Sequence, residues 1–346
     1  MKKIKTAVML LSVILAVQAF SFPVYALRDN KYIIDSKKDY YEYDEISYEW
    51  SWITNEKNRD NIILFDGNRP PTEVGIVDDA GIRYYPDHPV TKLVPDSING
   101  KPVVEIEGSC VASEFDLNPK NKYMECIDNV IFGKDGKTLM SYSQNNPRES
   151  YSIPEGTEVI GCLAIAYSDN LKEVIIPEST NKIDYAAFVG CDKLSEVIFL
   201  PGNSEMYIEE YAFWSSYNLK EITLPSFNVK IDRSAFDKSV DVPLLITYEQ
   251  PVPKAENRTI KWDKIPNASY YEVYQKLSNG EYKLLKTTKG TSCKFTTLKQ
   301  GSEYIFAVKP IAVIPAANYD KKEDEGYFPE TFTVEGTMSE DIAVQG

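Results

Sequence analysis

The chain has a single histidine, His88, among 346 residues. That scarcity removes much of the chemistry usually read from motifs. A Ser-His-Asp or Cys-His arrangement needs a histidine base, and a multi-His metal site needs several. His88 stands beside Pro89 in a polar stretch, where it reads as an exposed, silent side chain. A Gly-x-Ser-x-Gly elbow, a P-loop and a strand followed by Gly-x-Gly-x-x-Gly are also missing. Carboxylates are plentiful, but a glycosidase pair needs a deep, rigid cleft to hold it. No enzyme activity, catalytic residue, metal ligand or cofactor is therefore expected.

Positive charge is the minority: Lys+Arg number 38 against 52 Asp+Glu, a formal charge of −14. Nucleic acid and anionic membranes both require clustered Lys and Arg, so neither is expected as a partner. The five cysteines, Cys110, Cys126, Cys162, Cys191 and Cys293, are odd in number and unevenly spaced. That argues against a disulfide framework, and closely spaced zinc ligands are missing too. Cys162 and Cys191 read as small buried apolar residues. Long apolar runs are equally scarce. Ala7 to Phe20 is free of charge, follows Lys2, Lys3 and Lys5, and precedes Val24-Tyr25-Ala26. This is the pattern of an export signal cleaved after Ala26, too short for the roughly 20 residues of a membrane span. Cleavage takes the charge from −14 to −17 and leaves about 320 residues, enough for two or three domains. The product is expected to be secreted, with cell-surface association left open and no membrane insertion.

What the chain has is a repeat. Ile153-Pro154, Ile176-Pro177, Leu200-Pro201 and Leu224-Pro225 open four copies, spaced 23, 24 and 24 residues apart. Each copy then places Ile160, Ile183, Ile208 or Ile231. Ala164-Ile165, Ala187-Phe188, Ala212-Phe213 or Ala235-Phe236 follow, then Leu171, Leu194, Leu219 or Val242, then Val174, Val197, Ile222 or Leu245. An apolar grid at this period is how a leucine-rich-repeat solenoid is written. Such a stack builds an extended binding surface rather than a catalytic cleft.

Four regions follow from this: 1–26 export signal, 27–84 a β-rich N-terminal cap segment, 85–250 repeats, and 251–346 a further fold. In 27–84, Ile46 to Trp52 alternates as a half-buried strand and Asn61 to Phe65 gives a second. Tyr48, Trp50 and Trp52 either stack against sugar rings or, more simply, cover the open end of the solenoid. An irregular opening copy runs from Val94 to Ile106. An excursion through Ile127–Leu139 follows, where Lys134-Asp135-Gly136-Lys137 signals a hairpin.

These segments resemble a known family. Ile127 to Leu139, Tyr151 to Gly161, Ile183 to Cys191 and Leu219 to Pro225 are similar to BspA-like leucine-rich repeats. That family occurs on exported proteins of host-associated bacteria, so the resemblance implies adhesion or binding. Two copies depart from the pattern. Ile165 stands where an aromatic is usual, and Asp237-Lys238-Ser239 replaces the equivalent of Gly190-Cys191; both read as caps. In 251–346, Thr259 to Trp262, Ser269 to Tyr274, Cys293 to Phe295 and Leu298…Gly301…Tyr304 resemble a fibronectin type III sandwich. The resemblance implies that Tyr304 makes a tyrosine corner. Ala316 to Pro329 lengthens the final loop, and Thr331 to Val334 is expected as the last strand. Within that loop Asp320, Glu323, Asp324 and Glu325 read as a solvated acidic loop rather than a calcium site, lacking EF-hand spacing. The fold class is mainly β, a BspA-like leucine-rich-repeat solenoid followed by a fibronectin type III-like β-sandwich.

The outward face of the repeat strands is the candidate site. With Leu171, Val174 and Ile176 inward, alternation turns Ile175 outward. The matching residues are Ser152, Ile198, Thr223 and Ile246, flanked by Lys172-Glu173, Ser195-Glu196 and Lys220-Glu221. An apolar ladder edged with charge suits a protein-binding surface. Lys172 and Lys220 join the five ladder residues as candidate contacts. The expected partner is a protein or glycan ligand, on a host or neighbouring cell, with the C-terminal module as spacer or second contact. Two other functions remain open: a structural spacer or scaffold without a ligand, and a hydrolase or hydrolase accessory protein. Residues 27–84 are too short for a catalytic domain of usual size.

Overall fold

The computed structural model describes residues 32–33, 51–55, 62–65, 91–94, 96–98, 101–108, 114–202, 205–237, 242–248, 250, 251–320 and 328–346. The export signal, Tyr48, Trp50, His88, Cys110 and the acidic residues Glu323 to Glu325 lie outside them. The described residues contain strands and turns but no helix. Two compact units divide the chain: residues 1–146 with 161–165, and 147–160 with 166–346.

In the first unit, β1 (Tyr32–Ile33), β2 (Ser51–Asn55), β3 (Ile62–Phe65), β5 (Ser97–Ile98) and β6 (Lys101–Glu107) form one sheet in the order β1-β2-β3-β6-β5. β4 (Thr91–Val94) pairs with β7 (Glu114–Leu117), in parallel. β8 (Met124–Ile127), β9 (Val130–Gly133) and β10 (Thr138–Tyr142) form an antiparallel meander. Its β9–β10 turn is the expected hairpin. There Gly136 takes φ +71°, and the Lys137 N–H donates to Asp135 Oδ1 at 3.0 Å. Val94, Val103, Ile106, Phe115, Leu117, Met124 and Ile131 pack into this unit's core.

The second unit holds the regular repeats. Each copy contributes one strand to each of two parallel ladders. The first ladder is β11 (Ser150–Ser152), β13 (Glu173–Ile176), β15 (Glu196–Phe199), β17 (Glu221–Thr223) and β19 (Leu244–Ile246). The second is β12 (Val159–Ile160), β14 (Lys182–Ile183), β16 (Met206–Ile208) and β18 (Val229–Ile231). The apolar grid explains the stack. Ile153, Ile160, Leu171, Val174, Ile176, Ile183, Leu194, Val197, Ile208, Leu219, Ile222, Leu224 and Ile231 are all at most 4% exposed. Between the ladders, Phe188, Phe213 and Phe236 stack with centroids 5.1 and 5.6 Å apart and planes 8° from parallel. The turns also repeat: Ala186 and Tyr211 take φ of 51° and 56°, and four residues on Gly190 and Ser215 take 66° and 58°. One left-handed turn geometry is thus stacked copy on copy. Ser215 holds that φ with a side chain, but at Gly190 an added Cβ would lie 2.5 Å from Tyr167 Cδ1, so crowding is what calls for glycine there.

Leu200 departs from the grid. It is 38% exposed, while Phe199, at 0%, pairs with Ile176 and fills the core position. The third copy is longer than its neighbours, and one extra residue after a strand turns the next side chain outward.

The C-terminal strands are β20 (Lys254–Glu256), β21 (Thr259–Lys261), β22 (Tyr270–Lys276), β23 (Tyr282–Thr288), β24 (Ser292–Lys294), β25 (Glu303–Pro315), β26 (Thr331–Gly336) and β27 (Ile342–Gln345). β20-β21-β24 make one sheet, while β22, β23, β25 and β27 belong to another. Ile260, Trp262, Cys293 and Phe295 from the first share a core with Tyr271, Val273, Phe306, Val308 and Val344 from the second. The Lys299 N–H donates to Tyr304 Oη at 3.2 Å. The expectation that Thr331 to Val334 is the last strand of this module is corrected: β27 closes on β25, with Tyr304 opposite Val344.

β26 has a different role. It pairs in parallel with β19 on one side and antiparallel with β25 on the other. The first ladder and the C-terminal module therefore share one 10-stranded sheet. The lengthened loop continues the second ladder as well. Asp232 bridges Ala317 in parallel, the Ala317 N–H donates to Ile231 O at 2.7 Å, and the Arg233 N–H donates to Ala317 O at 3.0 Å. Phe332 meets the end of the phenylalanine stack, edge-on to Phe236 at 5.9 Å. The departing copy at Asp237 is thus not the cap expected of it. Residues from the C-terminal module close that end, which leaves no unpaired edge on β19.

Candidate functional site

Parallel pairing without slips aligns the outward residues of the first ladder. Ser152 lies opposite Ile175, Ile175 opposite Ile198, Ile198 opposite Thr223, and Thr223 opposite Leu245. Ser152 is exposed, and Ile175, Ile198 and Leu245 are half-buried. Thr223 occupies its rung but is only 6% exposed.

Ile246 is the correction. It is 1% exposed and points into the core, while Leu245 takes the outward rung. The cause is a one-residue change in spacing. Ile222 pairs with Leu244, so the last copy advances by 22 residues rather than the 23 implied by aligning Leu245 with Ile222. A slip of one residue sends every side chain of a strand to the opposite face.

Two residues before the apolar rungs, a second column is in register. Ser150 faces Glu173, Glu173 faces Glu196, and Glu196 faces Glu221. Neighbouring strands lie about 4.8 Å apart, and like charges directly opposite destabilise a sheet. Ser150 relieves one end, its hydroxyl donating to Glu173 Oε1 at 2.5 Å. Lys172 is exposed and turned to another carboxylate, donating to Glu149 Oε1 at 2.7 Å. That contact holds the Glu149 carboxyl below its usual pKa. Lys220 is exposed beside Glu221. The structure thus joins the apolar rungs and the glutamates on one face, and places Lys172 and Lys220 at its margin.

The same face runs on into the C-terminal module. Leu245 is opposite Glu335, Glu335 opposite Ile311, and Ile311 opposite Tyr270, with Ile311 itself covered at 2% exposure. Lys309 pairs with Glu335 and lies opposite Glu272 in the register. The Tyr274 hydroxyl donates to Glu272 at 2.5 Å. Burial and that carboxylate hold Tyr274 protonated well above the ordinary tyrosine range. Sequence reasoning missed Leu245, Glu335, Lys309 and Tyr270. For Leu245 the one-residue change in advance shows only in the pairing of Ile222 with Leu244; the other three depend on long-range pairing and left no local signal.

Chemically this surface offers apolar area edged by acceptors. Among the described residues, no group of three His, Cys, Asp or Glu side chains is placed to hold a metal ion.

Two family models match parts of the chain. Residues 139–251 match the BspA type leucine rich repeat region, in 6 copies. Residues 249–323 match the C-terminal domain of GH85 endohexosaminidases rather than a fibronectin type III family. Similar solved structures include a leucine-rich cell surface protein from Faecalibacterium prausnitzii, 20% identical with a TM-score of 0.33, matching over 43% of this chain and 45% of that one. A leucine-rich repeat protein from Eubacterium ventriosum is 15% identical, with a TM-score of 0.33, over 45% of this chain and 50% of that one. The pneumococcal vaccine antigen PcpA is 21% identical, with a TM-score of 0.28, over 43% of this chain and 49% of that one. The chain thus spans about half the length of the solved structures it matches. No curated protein matches its sequence.

Proposed function

We propose that this chain is an exported, non-enzymatic binding protein that recognises a partner protein through the outward face of the first ladder, at or near a cell surface. In this reading the C-terminal module is a fibronectin type III-like sandwich that lengthens the binding face. The observation that carries it is the in-register pair of columns, Ile175-Ile198-Thr223-Leu245 beside Glu173-Glu196-Glu221. Three stacked carboxylates cost folding energy in isolation. A partner bringing Lys or Arg against them, with apolar residues on the rungs, turns that cost into complementarity. The test is capture of partners from host-cell and bacterial extracts by the mature chain and by Ile175→Asp/Ile198→Asp. Both substituted side chains face outward, so the variant should fold as wild type and lose its partners. Undiminished capture by the folded variant refutes the reading.

The GH85 resemblance of residues 249–323 favours a second reading, in which the C-terminal module contacts a hexosamine-containing glycan as a hydrolase accessory would. Binding on a glycan array by the full chain, unaffected by Ile175→Asp/Ile198→Asp, separates it from the first.

A further inference from the structure

The C-terminal module presents an open sheet edge whose charge is opposite to that of the chain. β23 ends the order β25-β22-β23, with a strand on one side only. Six of its seven residues are exposed, with Tyr282 at 39%, Leu284 at 45% and Leu285 at 42%. An edge strand leaves alternate N–H and C=O groups unpaired, which is a template for another extended chain; on β23 this edge is bent by a bulge at Leu285, between Leu284 and Lys286.

Charge narrows the choice of that chain. Residues 282–302 hold five lysines and no Asp or Glu, in a protein of net charge −14. Lys283 and Lys286 lie on β23, and Lys294 lies on β24, the outer strand of the facing three-stranded sheet. Burial raises the pKa of the Cys293 thiol on β24 and Lys286 opposes it, so the charge on β23 is felt at β24. Lys276, by contrast, is spoken for by Asp341 at 2.6 Å. A second copy of this chain is a poor occupant. In the antiparallel register that sets Lys283 of one β23 opposite Lys286 of the other, like charges face one another and destabilise the sheet.

We propose that the β23 edge is a docking site for an extended acidic segment of a partner protein, which adds to the sheet as a further strand. Main-chain hydrogen bonds supply the affinity, Leu284 and Leu285 bury apolar side chains, and Lys283 and Lys286 select for carboxylates. This site shares no residue with the solenoid face.

The probe is a fluorescent peptide as long as β23, 7 residues, alternating valine and glutamate. Fluorescence anisotropy follows its titration with the full chain at low and high salt. Controls are the valine–lysine peptide and a valine–glutamate peptide N-methylated at alternate residues. Saturable binding is expected, weakened at least about tenfold in Lys283→Glu/Lys286→Glu and weakened by salt. Binding should also be absent for both control peptides. All the substituted positions are exposed, and circular dichroism checks that the variant folds. Failure of the valine–glutamate peptide to bind overturns the proposal. So does equal binding of the N-methylated peptide, which would mean charge attraction without strand addition. Concentration-dependent self-association that the double variant abolishes also overturns it, by making a second copy the occupant.

Discussion

Replacing Asp232 by alanine tests whether the C-terminal module is fixed to the end of the solenoid. Asp232 is fully buried. Its Oδ1 accepts from the Ser234 N–H at 2.9 Å and the Ser234 hydroxyl at 2.8 Å, and its Oδ2 accepts from Asn318 Nδ2 at 2.7 Å. The serine hydroxyl can rotate to a new partner, and exposed Asn318 can turn to water. The buried Ser234 N–H can do neither. A buried donor left unmade costs about 1–3 kcal/mol, and each lost charge-assisted hydrogen bond about 1.5–3 kcal/mol more. Allowing for the recovery of Asn318 and the hydroxyl, the expected loss is about 2–4 kcal/mol. For a unit of this size that lowers Tm by roughly 5–15 °C. Asn318→Ala removes only the partly exposed bond and should cost about 0.5–1.5 kcal/mol. The decisive assay is a double-mutant cycle by urea denaturation, reading the coupling between Asp232 and Asn318. A coupling of about 1 kcal/mol is expected. If the two losses add within about 0.5 kcal/mol, or Asp232→Ala loses less than about 1 kcal/mol, the bond does not pin the loop. Asp232→Asn retains an acceptor for Ser234 and should fall between wild type and alanine.

Four further outcomes follow from the same geometry. Leu245→Asp should cost less than about 1 kcal/mol, whereas Ile246→Asp should cost about 3–5 kcal/mol by burying a carboxylate, both read by urea denaturation. Equal costs would show the register of β19 to be wrong. Gly190→Ala should lose about 2–3 kcal/mol, from a side chain at φ +66° and a Cβ driven into the Tyr167 ring; a neutral thermal melt would refute it. Burial lifts the Cys191 thiol from 9.0 to about 12. Its unfolded form therefore ionises first as pH rises, and stability falls between pH 9.0 and about 12 by more than in Cys191→Ala. In thiol labelling of the native protein at pH 8, exposed Cys126 should react well before buried Cys191.

The repeats were legible because their information is local and redundant. Val174, Val197 and Ile222 occupy one slot, and each copy corroborates the others. The failures share one physical cause. Where a copy gained or lost a residue, at Leu200 and at Ile246, the period still fitted within one position, but a strand has a side-chain period of two. One residue is invisible to the first measure and decisive for the second.

The lengthened loop after Ala316 failed differently. Its departure from the sandwich pattern was plain in the sequence, and so was the strand-like alternation of Thr331 to Val334. Missing was any local cue to partnership, since β26 pairs with β19 some 90 residues earlier. Ile342 to Gln345 alternates just as well, and nothing nearby ranks one strand over the other as the neighbour of β25. The structure uses both. β25 is 13 residues long, and it gives its first part to β27 and its last part to β26. That length was the available signal, because a strand of 13 residues exceeds what a single neighbour in a small sandwich needs. It also explains why the candidate face does not stop at the last repeat. A strand that serves two partners carries the register from Leu245 through Glu335 to Ile311 without an edge between them, and the outward column reaches Glu335 before Ile311, 2% exposed, is covered.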